Sequence, residues 1–225
     1  MPISLSRRFV SEALGTAMLL ATVVGSGIMA ERLAGGNTAV ALLANTVATG
    51  AALVALILTF GGISGAHFNP AVTFCEWLDG ASSTREALFY IPGQAIGALA
   101  GVAAANVMFE LPVFFASEKI RTGNAQWFSE FVATFGLIAV IRGSSRLRFT
   151  VIIPFAVAAY IMAAYWFTAS TSFANPAVTI ARSLSDTFAG IRPSDVPTFI
   201  VAQLLGAFTA NLLFRWLIPR EANNE

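Results

Sequence analysis

The feature that most restricts how this chain can fold is a pentapeptide used twice. The stretches "AHFNPAVTF" (66–74) and "SFANPAVTI" (172–180) share Asn-Pro-Ala-Val-Thr. Each copy follows an apolar span and sits in a segment, Gly61 to Asp79 or Ala169 to Asp186, that is too short for the ~20 residues of a spanning helix. Asn is a favoured N-cap, Pro suits the first helical position because no N–H is needed there, and Ala is a strong helix former. Asn69-Pro70-Ala71 and Asn175-Pro176-Ala177 therefore predict two half-helices that begin inside a membrane on re-entrant loops. A single copy would read as an ordinary helix cap after a loop; two copies at matching places do not.

The membrane itself follows from composition. With 56% hydrophobic and 11% charged residues and a mean hydropathy of +0.73, the chain carries more apolar surface than one soluble core buries. Six apolar stretches run roughly from Phe9 to Ala30, Thr38 to Phe60, Ala87 to Phe109, Trp127 to Ile141, Phe149 to Thr168 and Pro197 to Ile218, the fourth being short. The first exceeds a signal-peptide core and five more follow it, so it reads as a retained span. Arg7, Arg8, Arg85, Arg142, Arg146, Arg148, Arg215 and Arg220 fall on one side, against Arg32, Lys119, Arg121, Arg182 and Arg192 on the other. This bias puts both termini in the cytoplasm.

Other classes find little support. A net charge of +1 points to no nucleic-acid partner. Cys75 is the single cysteine and His67 the single histidine, so no disulfide, thiolate cluster or metal site is expected. No pairing of nucleophile and base suggests an enzyme, and no motif calls for a cofactor.

The order of polar residues repeats. Ser11-Glu12 with Gly15-Thr16 returns as Ser129-Glu130 with Ala133-Thr134, and Gln94 with Gly97-Ala98 returns as Gln203 with Gly206-Ala207. Residues 1–110 and 125–220 read as two repeats within a single channel domain, 1–225. Three spans per repeat make the second enter from the opposite face, which puts a functional site near the midplane between the halves. Loop backbone at that depth needs protein or water around it, so an aqueous path is implied. Two half-helix N-termini meeting there disfavour a cation and offer donors to a neutral molecule. Glu12 and Glu130 lie deep in spans, where a charge is usually functional. As relays they would move protons; as supports they would accept N–H bonds from the re-entrant loops, which otherwise lack partners. Gly93, Gly97 and Gly101, and Gly206 with Ala210, are spaced for close helix packing.

The paired motif, "SGAHFNPAVT", "SEALGT" with its counterpart "SEFVAT", and the Gln-bearing third and sixth spans resemble the aquaporin and aquaglyceroporin (major intrinsic protein) family over nearly the whole chain. The resemblance implies an all-α membrane fold of six transmembrane helices plus two re-entrant half-helices. It also implies one pore per subunit, a homotetramer among membrane lipids of the plasma or bacterial inner membrane, and passage of water or small neutral solutes. By itself His67 reads as a pore-lining donor or gate; the resemblance instead implies a loop residue whose main-chain carbonyl faces the channel.

In that family an outer constriction commonly includes an aromatic residue, a His, a small residue and an Arg directly after the second motif. Counting without gaps gives Thr49, Ala163, Ser172 and Val178 here, none aromatic and none charged. Valine in place of arginine implies a wider opening, suited to glycerol-like polyols and neutral metalloid acids such as arsenous acid, and the chain is most similar to bacterial arsenite-linked members. Arg182, one turn beyond Val178, either restores charge to the vestibule or stabilises the end of the half-helix. A water-selective channel, a coupled secondary transporter and a closed structural member are the competing readings.

Overall fold

The computed structural model describes residues 3–145 and 150–218. Arg146, Arg148 and Arg220 of the charge count, Phe149 of the fifth apolar stretch, and the outermost residues of the 1–225 and 125–220 ranges lie outside them. The described residues form eight α-helices and no strand: α1 (Leu5–Leu33), α2 (Thr38–Ser64), α3 (Pro70–Leu78), α4 (Thr84–Met108), α5 (Asn124–Ser144), α6 (Ile153–Phe167), α7 (Pro176–Arg182) and α8 (Val196–Leu217). Of the six longer helices, all but α6 are long and apolar enough to cross a membrane. α6 has 15 residues after a 3₁₀ turn at Thr150–Ile152.

The short span is thus the fifth, not the fourth. α5 runs for 21 residues because polar side chains at its start are used inside the protein rather than ending the helix. Gln126 donates to the Ala169 carbonyl, and the Ser129 hydroxyl accepts the Ala169 N–H at 3.0 Å. An apolar run stops at such residues; a helix with partners for them continues.

Helix direction alternates. Arg8 of α1 pairs with Glu86 at the start of α4, and Arg32 near the other end of α1 donates to the Phe109 carbonyl just past α4, so α1 and α4 run parallel. We call the end holding the start of α1 and the finish of α8 the terminal end, and the opposite one the far end. α1 and α4 approach so closely that a Cβ on Gly97 would sit 2.0 Å from the Ala13 carbonyl oxygen, and one on Gly101 2.2 Å from that of Ala17. α5 and α8 repeat this approach, with Gly206 against the Phe131 carbonyl at 2.3 Å. Small residues let backbones meet where lipid gives no hydrophobic push.

Candidate functional site

The two half-helices are built by the local chemistry of their first residues. Asn69 is the N-cap of α3, its side-chain oxygen accepting the Ala71 N–H at 2.9 Å with Pro70 in the first turn. Asn175 caps α7 in the same way, accepting from Ala177 at 3.0 Å and Val178 at 3.3 Å. Committing each amide oxygen to its own helix fixes the direction of the NH₂ group. The Asn69 amide then donates to the Ala174 carbonyl at 2.7 Å and the Asn175 amide to the Phe68 carbonyl at 2.8 Å, so each loop is tied to the other. An amide NH₂ carries two hydrogens, so each Asn keeps one donor.

The loops leading to these caps hold strained backbone. Ala66 and Phe68 have φ of 51° and 47°, and Ser172 and Ala174, equally spaced before the second Asn, have 52° and 48°. Non-glycine residues persist there only when their surroundings insist. Glu12 does so in the first loop, accepting the His67 N–H at 3.0 Å and the Phe68 N–H at 2.7 Å. Glu130 does so in the second, accepting Phe173 and Ala174, both at 2.9 Å. Gln94 and Gln203 finish the two sets, each donating to its glutamate (2.8 and 2.6 Å) and to Thr73 or Thr179 (2.9 and 2.8 Å). Both carboxylates are fully buried and their oxygens are occupied by donors. The His67 ring lies within 3.1 Å of the Thr73 hydroxyl and edge-on to Tyr90.

A single cavity of about 330 Å³ runs past both Asn caps. Most of its wall is aliphatic, from α1, α2, α3, α5 and α6, with Leu19, Leu53, Val72, Leu137 and Ile161 among the contributors. Its polar positions are few: Thr49, Tyr165 and Ser172, His67, the two Asn, Glu76 toward the terminal end and Arg182 toward the far end. Of the four positions counted from the sequence, Thr49, Ser172 and Val178 line this cavity. Ala163 does not: it is exposed on the outside of α6. The α6 residues on the wall are Ile153, Val157, Ile161 and Tyr165, spaced by four, and the Tyr165 hydroxyl lies 3.3 Å from that of Thr49. That i, i+4 row was the available signal for Tyr165.

Arg182 ends α7 and is buried at 3% exposure, its guanidinium carbon 3.3 Å from the centre of the Phe173 ring and its Nε donating to the Ala189 carbonyl. Arg121, from the loop between α4 and α5, stands over the same ring at 4.9 Å and donates to the Gly190 and Ser170 carbonyls. Burial pushes Arg121 down to about 10. The spacing of motifs gave no sign of this second guanidinium.

The arrangement positions donors and a few hydroxyls around an otherwise apolar passage. Similarity to known proteins agrees with it. A profile described as major intrinsic protein matches residues 2–148 and 143–225. The chain is 55% identical to "Aquaglyceroporin AqpS" of Rhizobium meliloti (strain 1021), over 95% of this chain and 91% of that one. It is 30% identical to "Aquaporin A" of Dictyostelium discoideum, over 96% and 80%. The X-ray structure of the aquaglyceroporin from Plasmodium falciparum superposes with a TM-score of 0.75, covering 96% of this chain and 98% of that one at 20% identity, which speaks to the fold. With caps, loops and cavity arranged in this way and profile matches spanning the chain, the protein belongs to the major intrinsic protein family, whose members are membrane channels.

Proposed function

We propose that this channel passes small neutral solutes passively: water, glycerol-like polyols, and neutral metalloid acids such as arsenous acid. The observation that carries the reading is the cavity wall near Val178. Thr49, Tyr165 and Ser172 bring hydroxyls there, while Val178 brings methyl groups at the first helical position after the second motif. Tyr165 replaces Ala163 in the proposed constriction. A solute that sheds its hydration needs room and a few partners, and this wall offers both. The name of the 55%-identical relative, an aquaglyceroporin, points the same way.

Both termini are proposed to be cytoplasmic in a bacterial inner membrane, with four chains assembling through their lipid-facing apolar sides. Glu12 and Glu130, with Gln94, Gln203 and His67, are read as loop supports. Their carboxylates are occupied by backbone and amide donors, which argues against a proton relay.

Stopped-flow light scattering of proteoliposomes tests the reading across water, glycerol, urea and boric acid. Downhill flux of the solutes above that of empty vesicles, unsaturated and indifferent to a proton gradient, is expected. Water flux alone would make the channel water-selective, and uphill accumulation would make it a coupled transporter.

A further inference from the structure

Seven residues past each Asn cap the two half-helices put a charged residue on the cavity wall, and the two charges are treated oppositely. At the terminal end Glu76 pairs with Arg142 at 2.9 Å. Arg142 also meets Asp79 at 2.7 Å, and Arg215 pairs with the same Asp79. Two carboxylates and two guanidinium groups cancel there. At the far end Arg182 has no salt-bridge partner among the described residues, and the cation beside it is another arginine, Arg121.

A buried cation without a counter-charge is costly unless it has other partners. Arg182 has a ring face and one carbonyl, the latter on Nε; among the described residues no acceptor meets either terminal nitrogen. A second orphan lies on the same wall. The Ser172 hydroxyl, on a residue 3% exposed, has no hydrogen-bond partner, although buried polar atoms ordinarily have one. Unspent donors on a guanidinium and a free hydroxyl, both facing one passage, fit an oxygen-bearing solute.

We propose that Arg182 is the charge-selecting residue of this pore, and that with Ser172 it forms a donor pair for a hydroxyl or oxyacid oxygen of the passing solute. The inference rests on the reading of the chain as a solute channel. Guanidinium donors bind such an oxygen in a fork, and the serine hydroxyl adds a donor or acceptor as the solute requires. A cation entering from the far end meets Arg182 with Arg121 behind it and, among the described residues, no carboxylate in ion-pair contact with either guanidinium, so it is repelled where the local dielectric is low. Because Val178 one turn deeper is small, the pore is wide and positive at once, which lets size and charge be selected by different residues.

The test is potassium flux in proteoliposomes under a KCl gradient, read with a potential-sensitive dye, alongside glycerol flux. The wild type should hold the gradient, and any residual ion leak should favour chloride over potassium. Arg182→Gln and Arg182→Met, neutral side chains of similar length, should each raise potassium flux about tenfold or more, while Arg182→Lys keeps it near the wild-type level. Arg32→Gln, an exposed far-end charge off the cavity, should not raise it. Ser172→Ala should slow glycerol relative to water without admitting potassium. Wild-type preference for potassium over chloride overturns the proposal even if no Arg182 variant reaches the membrane, and so does a tight Arg182→Gln channel. Wild-type vesicles that pass no glycerol would instead sink the channel reading on which it rests.

Discussion

The amide of each Asn is committed at both ends, its oxygen to the half-helix it caps and one NH₂ hydrogen to the opposite loop. Asn69→Asp or Asn175→Asp removes the donor and puts a carboxylate oxygen against a carbonyl, so flux should fall severely in both variants, with a new cation leak. Wild-type solute flux from a folded, leak-free variant, measured by stopped flow at matched membrane abundance, would separate these residues from the path. Val178→Arg fills the methyl-lined gap with a long side chain one turn from Arg182. Glycerol flux should drop more than water flux, lowering their ratio; an unchanged ratio would mean that Val178 is not at the narrowest point. A second buried guanidinium needs acceptors, so the ratio is taken only from protein that is folded.

Among elements, the α1–α4 contact tolerates no side chain at Gly97, because the obstacle is the Ala13 carbonyl and not a movable side chain. Gly97→Val should cost about 3 kcal/mol or more and show as aggregated material on size exclusion. Gly62→Ala, on α2 where a Cβ meets nothing within 4 Å, should leave the profile intact. The loop between α4 and α5 makes a different demand. Burial first, then Arg121 and Arg182, push Lys119 down to about 8 from its ordinary 10.5, against the opposing pull of Glu31 and Asp186. Between those two pH values the unfolded chain keeps a proton that the folded one has released, so stability rises with pH across the window and Lys119 costs stability below it. Lys119→Gln should therefore raise the thermal midpoint in detergent more at pH 7.5 than at pH 9.5, relative to wild type. Equal shifts at the two pH values would show that the ammonium is not penalised by the fold.

For the whole molecule, residues of one chain suffice to line the cavity past both Asn caps. If four chains assemble, as proposed, each should conduct alone. Co-assembly of wild type with Asn175→Asp subunits should then lower solute flux in proportion to the fraction of variant chains, as counted by native mass spectrometry. A steeper loss would mean that pores are shared between subunits. The two ends of this wall also differ, with a neutralised charge cluster at the terminal end and, at the far end, Arg182 and Arg121, neither of which has a salt-bridge partner among the described residues. The passage is thus electrically asymmetric although the Asn caps, the loop φ angles and the Glu–Gln contacts match at its two half-helices.

What the sequence determined by itself was whatever depends on neighbours along the chain. Asn before Pro-Ala sets a helix start wherever it occurs, so both half-helices were legible, as were the number of spans and the matching Glu, Gln and Gly positions that the structure brings against the loops and helices. The length of α5 was not, because Gln126, Ser129 and Glu130 find their partners in a loop some forty residues away. Nor was the rotation of α6. Counting back from Asn175 measures distance along the chain, but two residues turn a helix by about 200°, so Ala163 and Ile161 lie on nearly opposite sides. Packing chose the face: the Tyr160 hydroxyl seats on the Val132 and Ala133 carbonyls over Gly136, and Met162 fills the space beside Gly50. With those two side chains anchored, Tyr165 turns to Thr49 and the cavity, and Ala163 turns out. Arg182 was decided in the same manner, since only the folded loops supply the Phe173 ring and Ala189 carbonyl that hold a guanidinium at the cavity wall.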